Sequence, residues 1–361
     1  MDIYGKLGVR RVVNAMGHMT MLGGSVLSSK VLDAMQEANR SYVDMVELQK
    51  RAGEIVAELI GAEAAHVTSG ASAALALGTA ACMVEGDKEK IRRLPDTTGA
   101  KNKVIIQKAQ RYKYDRCVTV PGAKLIEVGD TVAQIEAAIG PDTANILYVA
   151  PGGGPGIVPL EDVIRVGKAN GVPVLVDAAS QVYPPPDMGK YLEMGADLIC
   201  FGAKYFHAPN STGLLCGRKD LVEVAAFQGF VSFEANDAQS FARPMKVDRQ
   251  EVVAVVVALQ EWMRMDHTAR FEEYDRRARE LAKHLEGIPG ISVTSMSQGV
   301  QVMLDESALG KTVAQIEDEL KAGDPSIWMH AQEGAIVFST VTLVDGDEQI
   351  IAGQLKNLIG G

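Results

Sequence analysis

Between about residues 60 and 220 the chain alternates between short unbroken apolar runs and stretches with helical spacing. VIIQ (104–107), LIEV (125–128), ILYVA (146–150), VPVLVD (172–177), DLICF (197–201) and GLLCG (213–217) are flanked by Gly, Pro or Asp. They show no in/out alternation, so they predict strands buried on both faces. Between them SAALALGTAACM (72–83), VAQIEAAI (132–139), LEDVIRVGKAN (160–170) and MGKYLEMG (188–195) predict helices. This order predicts an α/β domain: a mostly parallel sheet covered by helices on both faces.

Two helices are predicted before this core. One is capped by Ser28 or Ser29; the other follows Asp44 and stops at Gly61. After about residue 245 the texture changes. Two long helices (248–264 and 267–286) lead into the strand-like runs ISVTSM, GVQVMLD and AIVFST, accompanied by the amphipathic stretches TVAQIEDELKAG and GDEQIIAGQLKNL. These predict a smaller C-terminal α+β domain over 246–361.

Composition narrows the function. With 361 residues, 47% apolar and 23% charged, the chain has the make-up of an ordinary globular protein large enough for two domains. Lys and Arg number 36 and Asp and Glu 46, a net charge of −10 that disfavours nucleic acid as a partner. No apolar run reaches the roughly 20 residues of a membrane span, and MDIYGKLGVRR lacks the apolar stretch of a secretion signal. Cys82, Cys117, Cys200 and Cys216 are far apart, which suggests reduced thiols rather than a disulfide scaffold or zinc knuckle. A cytoplasmic protein is expected.

Nucleotide and metal motifs fail individually. PGGGPG (151–156) begins like a dinucleotide loop, but the third glycine position holds Ile157, and no G-x-x-x-x-G-K-[ST] exists. The six histidines form no zinc-ligand spacing, so no metal is expected. Three other features are more informative together than singly. Ser69-Gly70-Ala71-Ser72 opens a helix of small residues, where free N–H groups can meet an anion. Asp177 ends a buried strand, and Lys204 lies in a turn just past the next. Alone, these read as a capped helix, a cap residue and a solvated charge. In combination they meet the needs of pyridoxal 5′-phosphate: an N–H nest for its phosphate, a carboxylate for its pyridine nitrogen and a lysine for its aldehyde.

With these residues in place, the chain resembles the pyridoxal-phosphate enzymes of fold type I, and within them the selenocysteine-synthase-like branch. That branch includes L-seryl-tRNA(Sec) selenium transferase and D-glucosaminate-6-phosphate ammonia-lyase. GVRRVVNAMGHMTMLGGSVLSSKVLDAM is similar to its N-terminal lid. SYVDMVELQKRAGEIVAELIGAEAAHVTSGASAALALGTAACM resembles its long helix and phosphate loop, and VLVDAASQ its cofactor aspartate. GAKYFHAPNSTGLLCGRKDL resembles its Schiff-base lysine turn, and RPMKVDRQEVVAVVVAL the start of its C-terminal part. The resemblance implies a large domain (28–245) with a seven-stranded mixed sheet, and a lid (1–27) that joins the small domain (246–361). It also implies a homodimer or higher homo-oligomer.

The departures cluster where a substrate would sit. The turn reads GAK for GGK; His207 and Asn210 replace an arginine and a glutamine; Gln110 stands where relatives of the ammonia-lyase type carry a histidine; His330 occupies a position often held by arginine. The resemblance assigns Ser69, Gly70, Ala71, Ser72, Gln110, Asp177 and Lys204 to the cofactor. Lys204, Asp177 and His207 become candidates for catalysis, and Arg243, Lys246 and His330 for the substrate's anionic group. The implied reaction is loss of water and then ammonia from a small hydroxylated amino acid or amino-sugar acid. A racemase, aldolase or transaminase would use the same residues; a selenium transferase or a non-catalytic cofactor-binding protein fits them less well.

Overall fold

The computed structural model describes residues 3–359. The expected lid and small domain reach at their ends onto residues 1–2 and 360–361, which lie outside the described residues. Backbone contacts divide the chain into one unit, Leu27–Arg264, and a second made of the residues before and after it.

The first unit is built on seven strands in the order Ala64–Thr68, Gly213–Gly217, Leu198–Gly202, Val174–Asp177, Thr143–Val149, Lys103–Gln107, Lys124–Val128. Gly213–Gly217 runs antiparallel to both neighbours; all other pairs are parallel. This is the mixed, mostly parallel sheet expected of fold type I. Val104, Leu147, Leu175, Leu198 and Leu215 pack with helix Ala71–Val84, which is buried from Ala73 to Val84. One strand departs from the expected burial on both faces: Lys124–Val128 is half-exposed because it closes an edge of the sheet. The other edge strand, Ala64–Thr68, went unpredicted, since AAHVT is short and runs straight into a Gly/Ser turn.

The predicted caps are present. Ser28 Oγ accepts the Val31 N–H, Asp44 accepts from Val46 and Glu47, and Gly61 ends its helix in the left-handed region at φ 78°. Helix Arg249–Arg264 differs from the expected division at 245/246 because it belongs to the larger unit. It packs on helices Ser29–Ala38 and Met45–Ile60, burying Val252, Val255, Leu259 and Trp262, and the Trp262 indole donates to the Val182 carbonyl at 2.8 Å.

In the second unit an antiparallel sheet runs His330–Gln332, Ala335–Ser339, Gly299–Leu304, Ile291–Met296. Its core combines Val300, Val302, Ile336 and Phe338 with Leu281, Leu285, Ile316 and Ile351 from the flanking helices. The N-terminal segment joins this unit through strand Val12–Asn14, which pairs parallel with Ser326–Trp328 and buries Val13 against Ile327.

Candidate active site

The sheet register brings the candidate residues to one edge. Thr68 and Gly202 both stand opposite Gly213, so the strands 64–68 and 198–202 end level, two strand spacings or roughly 10 Å apart. Asp177 is registered with Cys200 on the adjoining strand, and Thr143–Val149 and Lys103–Gln107 point the same way. The chain leaves this edge as Ser69–Ser72, Lys204 and Lys108–Asp115. Ligands of open α/β sheets bind where the parallel strands end.

The anion cradle is shaped by two glycines. Gly70 caps the helix at φ 89°, a backbone that residues with a Cβ rarely adopt, and its carbonyl receives the Ala73 and Ala74 N–H groups. The helix starts at Ala71, one residue earlier than predicted. The Ala71 and Ser72 N–H groups therefore belong to its first turn, which lacks intrahelical acceptors. Gly213 lets the turn lie directly on the sheet: a Cβ there would stand 2.4 Å from the Gly70 carbonyl carbon and 2.5 Å from the Ala71 nitrogen. Such a helix start, with small side chains, fits a phosphate monoester.

Lys204 sits in the single turn Ala203–Phe206, with its Nζ 5.2 Å from the Tyr205 ring centre. Partial burial, aided by the charge of Lys113, holds its amine below the ordinary lysine value. A lysine displaced in this direction offers more neutral amine for an aldehyde.

The Asp177 carboxylate is only 5% exposed and is held from both sides. Its Oδ1 accepts the Ala179 N–H at 3.0 Å and the Cys200 thiol at 3.5 Å, and its Oδ2 accepts the Tyr112 hydroxyl. Burial and the Asp177 charge push the Tyr112 phenol well above its ordinary value, so it stays a donor. Burial, then Asp177, does the same to the Cys200 thiol.

Tyr112, Lys113 and Cys200 did not emerge from the sequence. The RYKYD segment that carries two of them is locked by Asp115, 1% exposed, which accepts the Tyr112 N–H at 3.1 Å and the Arg111 Nε at 2.5 Å. Arg111 also pairs with Glu127. An Asp three residues after Tyr112 was the available signal, and it resembles any Asx turn.

Several expected site residues have other neighbours. Gln110 is buried, and its amide spans the Val149 backbone, donating to the carbonyl at 3.0 Å and accepting the N–H at 3.3 Å. Its hydrogen bonds thus tie the loop to the sheet, and a polar role towards the cofactor is not what they display. His207 ends the lysine turn at φ 63° and lies edge-on to Trp262, with ring centres 5.4 Å apart. Arg243 Nη2 meets Glu234 at 2.7 Å, while Lys246 is exposed. His330, in the smaller unit, meets the Met16 carbonyl through Nε2 at 3.1 Å.

A cavity of about 430 Å³ lies at the start of strand 64–68 rather than its end, lined by Gln49, His66, Val222, Phe227 and Phe230. Burial holds His66 neutral, at about 4, and none of the cofactor candidates lines this cavity. Among the described residues no group of His, Cys, Asp and Glu could hold a metal ion.

A lysine turn, a buried strand-end carboxylate and a helix-start cradle on one edge of this sheet define a pyridoxal-phosphate enzyme of fold type I. The chain belongs to the aminotransferase class-V family, whose model matches residues 9–302. Its cofactor is pyridoxal 5′-phosphate. A 5′-C-glycyluridine monooxygenase-decarboxylase from a Streptomyces species is 32% identical over 90% of this chain and 83% of its own length. The D-glucosaminate-6-phosphate ammonia lyase of Salmonella typhimurium is 29% identical over 99% and 98%. An L-seryl-tRNA(Sec) selenium transferase from Moorella thermoacetica is 24% identical over 99% and 83%. Among solved structures, that of D-glucosaminate-6-phosphate ammonia-lyase superposes with a TM-score of 0.89 at 27% identity, covering 100% of this chain and 98% of that one.

Proposed function

We propose that this protein is a pyridoxal-phosphate-dependent lyase that releases ammonia from a small hydroxylated amino acid or amino-sugar acid. The observation that carries this reading is the end-to-end likeness, in sequence and fold, to D-glucosaminate-6-phosphate ammonia-lyase. When bound, the cofactor supplies an electron sink conjugated to the substrate's α-carbon.

The chain's own residues supply the rest. The Ala71 and Ser72 N–H groups would hold the phosphate, and Asp177 would hold the proton of the ring nitrogen. Lys204 would hold the cofactor's aldehyde, and its amine, when free, would remove the Cα proton. Burial and then Lys113 lower that amine's pKa, the direction that favours a base. The same Nζ, now protonated, delivers its proton to the departing β-hydroxyl. We assign this step to Lys204 rather than His207, whose ring packs on Trp262. Water lost at Cβ is matched by the water that hydrolyses the product imine, so the net products are a 2-keto acid and ammonia.

Arg243 and Lys246 are our candidates for the substrate's carboxylate or phosphate. The Arg243–Glu234 pair is no obstacle, because an exposed ion pair is worth about 0.2–1 kcal/mol and a charge-assisted bond about 1.5–3. His330 is the third proposed contact.

A second reading, oxidative decarboxylation, draws on the 32% identity with the monooxygenase-decarboxylase. Incubation with a panel of D- and L-hydroxyamino acids, including D-glucosaminate 6-phosphate, separates the two. Equal yields of ammonia and 2-keto acid without oxygen uptake are expected. Oxygen uptake with release of carbon dioxide would establish the second reading. Inverted chirality alone would indicate a racemase, an aldehyde product an aldolase, and amino transfer to a keto acid a transaminase.

We also infer a homo-oligomer in the cytoplasm. Tyr42, Val43 and Val46 expose 93%, 51% and 45% of their surface in one short segment, which a second copy could cover. The four cysteines form no disulfide, which suits a reducing compartment. No described helix is long and apolar enough to cross a membrane. Sedimentation as an active monomer would overturn the oligomer.

A further inference from the structure

We propose that Tyr112 is a positioning residue for the cofactor: its hydroxyl aims the Asp177 carboxylate at the ring nitrogen. A carboxylate offers about four acceptor directions. At Asp177 three are taken, by Ala179 N–H and the Cys200 thiol on Oδ1 and by the Tyr112 hydroxyl on Oδ2. One direction is left, and it lies on the oxygen that Tyr112 holds. Both oxygens are anchored, so the carboxylate plane cannot turn about its last bond, and the remaining lone pair keeps its heading. Without Tyr112 only Oδ1 is held.

Tyr112 can do this because it is itself fixed. Its N–H is bound by the buried Asp115, which Arg111 neutralises, and Arg111 is tied in turn to Glu127 on the edge strand. Its ring meets that of Tyr114 edge-on, with centres 5.9 Å apart. Its phenol is buried beside a negative charge and so keeps its proton. The chain reaches the carboxylate from a loop that follows a different strand, which makes Tyr112 independent of the Asp177 backbone.

The inference rests on the family's cofactor and not on the lyase reading, so it is tested by binding rather than turnover. The cofactor-free protein and its Tyr112→Phe variant are titrated with pyridoxal 5′-phosphate and with 1-deazapyridoxal 5′-phosphate, in which carbon replaces the ring nitrogen. The ratio of the two affinities isolates the contact between ring nitrogen and Asp177. Tyr112→Phe is expected to lower that ratio about tenfold, the loss of one well-aimed charge-assisted bond. Tyr114→Phe, which removes a hydroxyl from the neighbouring aromatic, is expected to leave it unchanged. Equal weakening of both ligands would mean Tyr112 merely supports the fold. A higher ratio would mean it competes with the ring nitrogen for Oδ2. Either result overturns the proposal.

Discussion

Gly213→Ala should strain the cofactor cradle and the fold together. The added Cβ would lie 2.4 Å from the Gly70 carbonyl carbon, 2.5 Å from the Ala71 nitrogen and 2.7 Å from the Phe201 carbonyl oxygen. All three are backbone atoms, so no side chain can rotate away. Non-bonded carbons rest at about 3.5–4.0 Å, which means the Gly70–Ala71 peptide must retreat by about 1 Å. Overpacking of this kind costs about 1–3 kcal/mol, or roughly 2–4 °C of melting temperature per kcal/mol for a unit of this size. The retreating peptide carries the Ala71 N–H. Loss of one N–H bond to a phosphate, about 1.5–3 kcal/mol, would weaken cofactor affinity about tenfold to a hundredfold. Gly140→Ala is the control, since nothing lies within 4 Å of its Cβ position; it should be neutral or stabilising by up to about 1 kcal/mol. Thermal melts of the cofactor-free proteins and cofactor titrations read both effects. A Gly213→Ala protein that melts and binds like the parent would refute the reasoning. A lower melting temperature with unchanged affinity would show that the strain escapes through the strand, leaving the cradle intact.

Lys204→Ala should abolish the pyridoxyl group that borohydride fixes on the parent protein while leaving its melting temperature within a few degrees, as the side chain fills no core; label on another peptide would reject the assignment. Lys113→Gln should raise the pH midpoint of cofactor attachment, because a neighbouring cation disfavours the protonated Lys204 amine and its removal lets that amine hold its proton to higher pH. Stopped-flow absorbance across pH measures it, and a midpoint that stays or falls contradicts the sign. Arg243→Ala should raise KM about tenfold or more with kcat little changed, whereas Glu234→Gln, which releases the guanidinium, should lower KM by no more than about fivefold. An unaltered KM in Arg243→Ala would return that residue to the solvated surface.

The sheet was legible because its inner strands are unbroken apolar runs and its helices have clean spacing. Where the pattern misled, burial explains why. Ala64–Thr68 begins with two small, half-buried alanines and carries a histidine, so AAHVT lacks the strand signature of VLVD or GLLCG. The Arg249–Arg264 helix looked like the first element of a new domain because the texture changes before it. Its buried Val252, Val255 and Leu259 instead complete the helix pair at the start of the larger unit. A hydrophobic stripe records that a face is buried, but not which neighbour buries it.

The site divided along a similar line. Asp177, Lys204 and the Gly70 turn could be read because each follows directly from a strand or opens a helix, so its place on the sheet is set by local sequence. Tyr112 acts across the sheet edge, on a carboxylate 65 residues away, through a hydroxyl that any tyrosine carries. Nothing within RYKYD distinguishes a surface loop from one pinned by a buried Asp115. The same limit affected the cations. The resemblance offers Arg243 and Lys246 for the substrate's anionic group; in the fold Arg243 pairs with Glu234, while Lys113 is the cation whose field reaches Lys204. Spacing along a chain predicts convergence only inside a helix or strand, where the period fixes direction. Arg243 lies in a turn, Lys246 in the irregular stretch just after it, and Lys113 in a turn of its own. Their roles therefore depend on which charges the folded chain, and then its substrate, bring beside them.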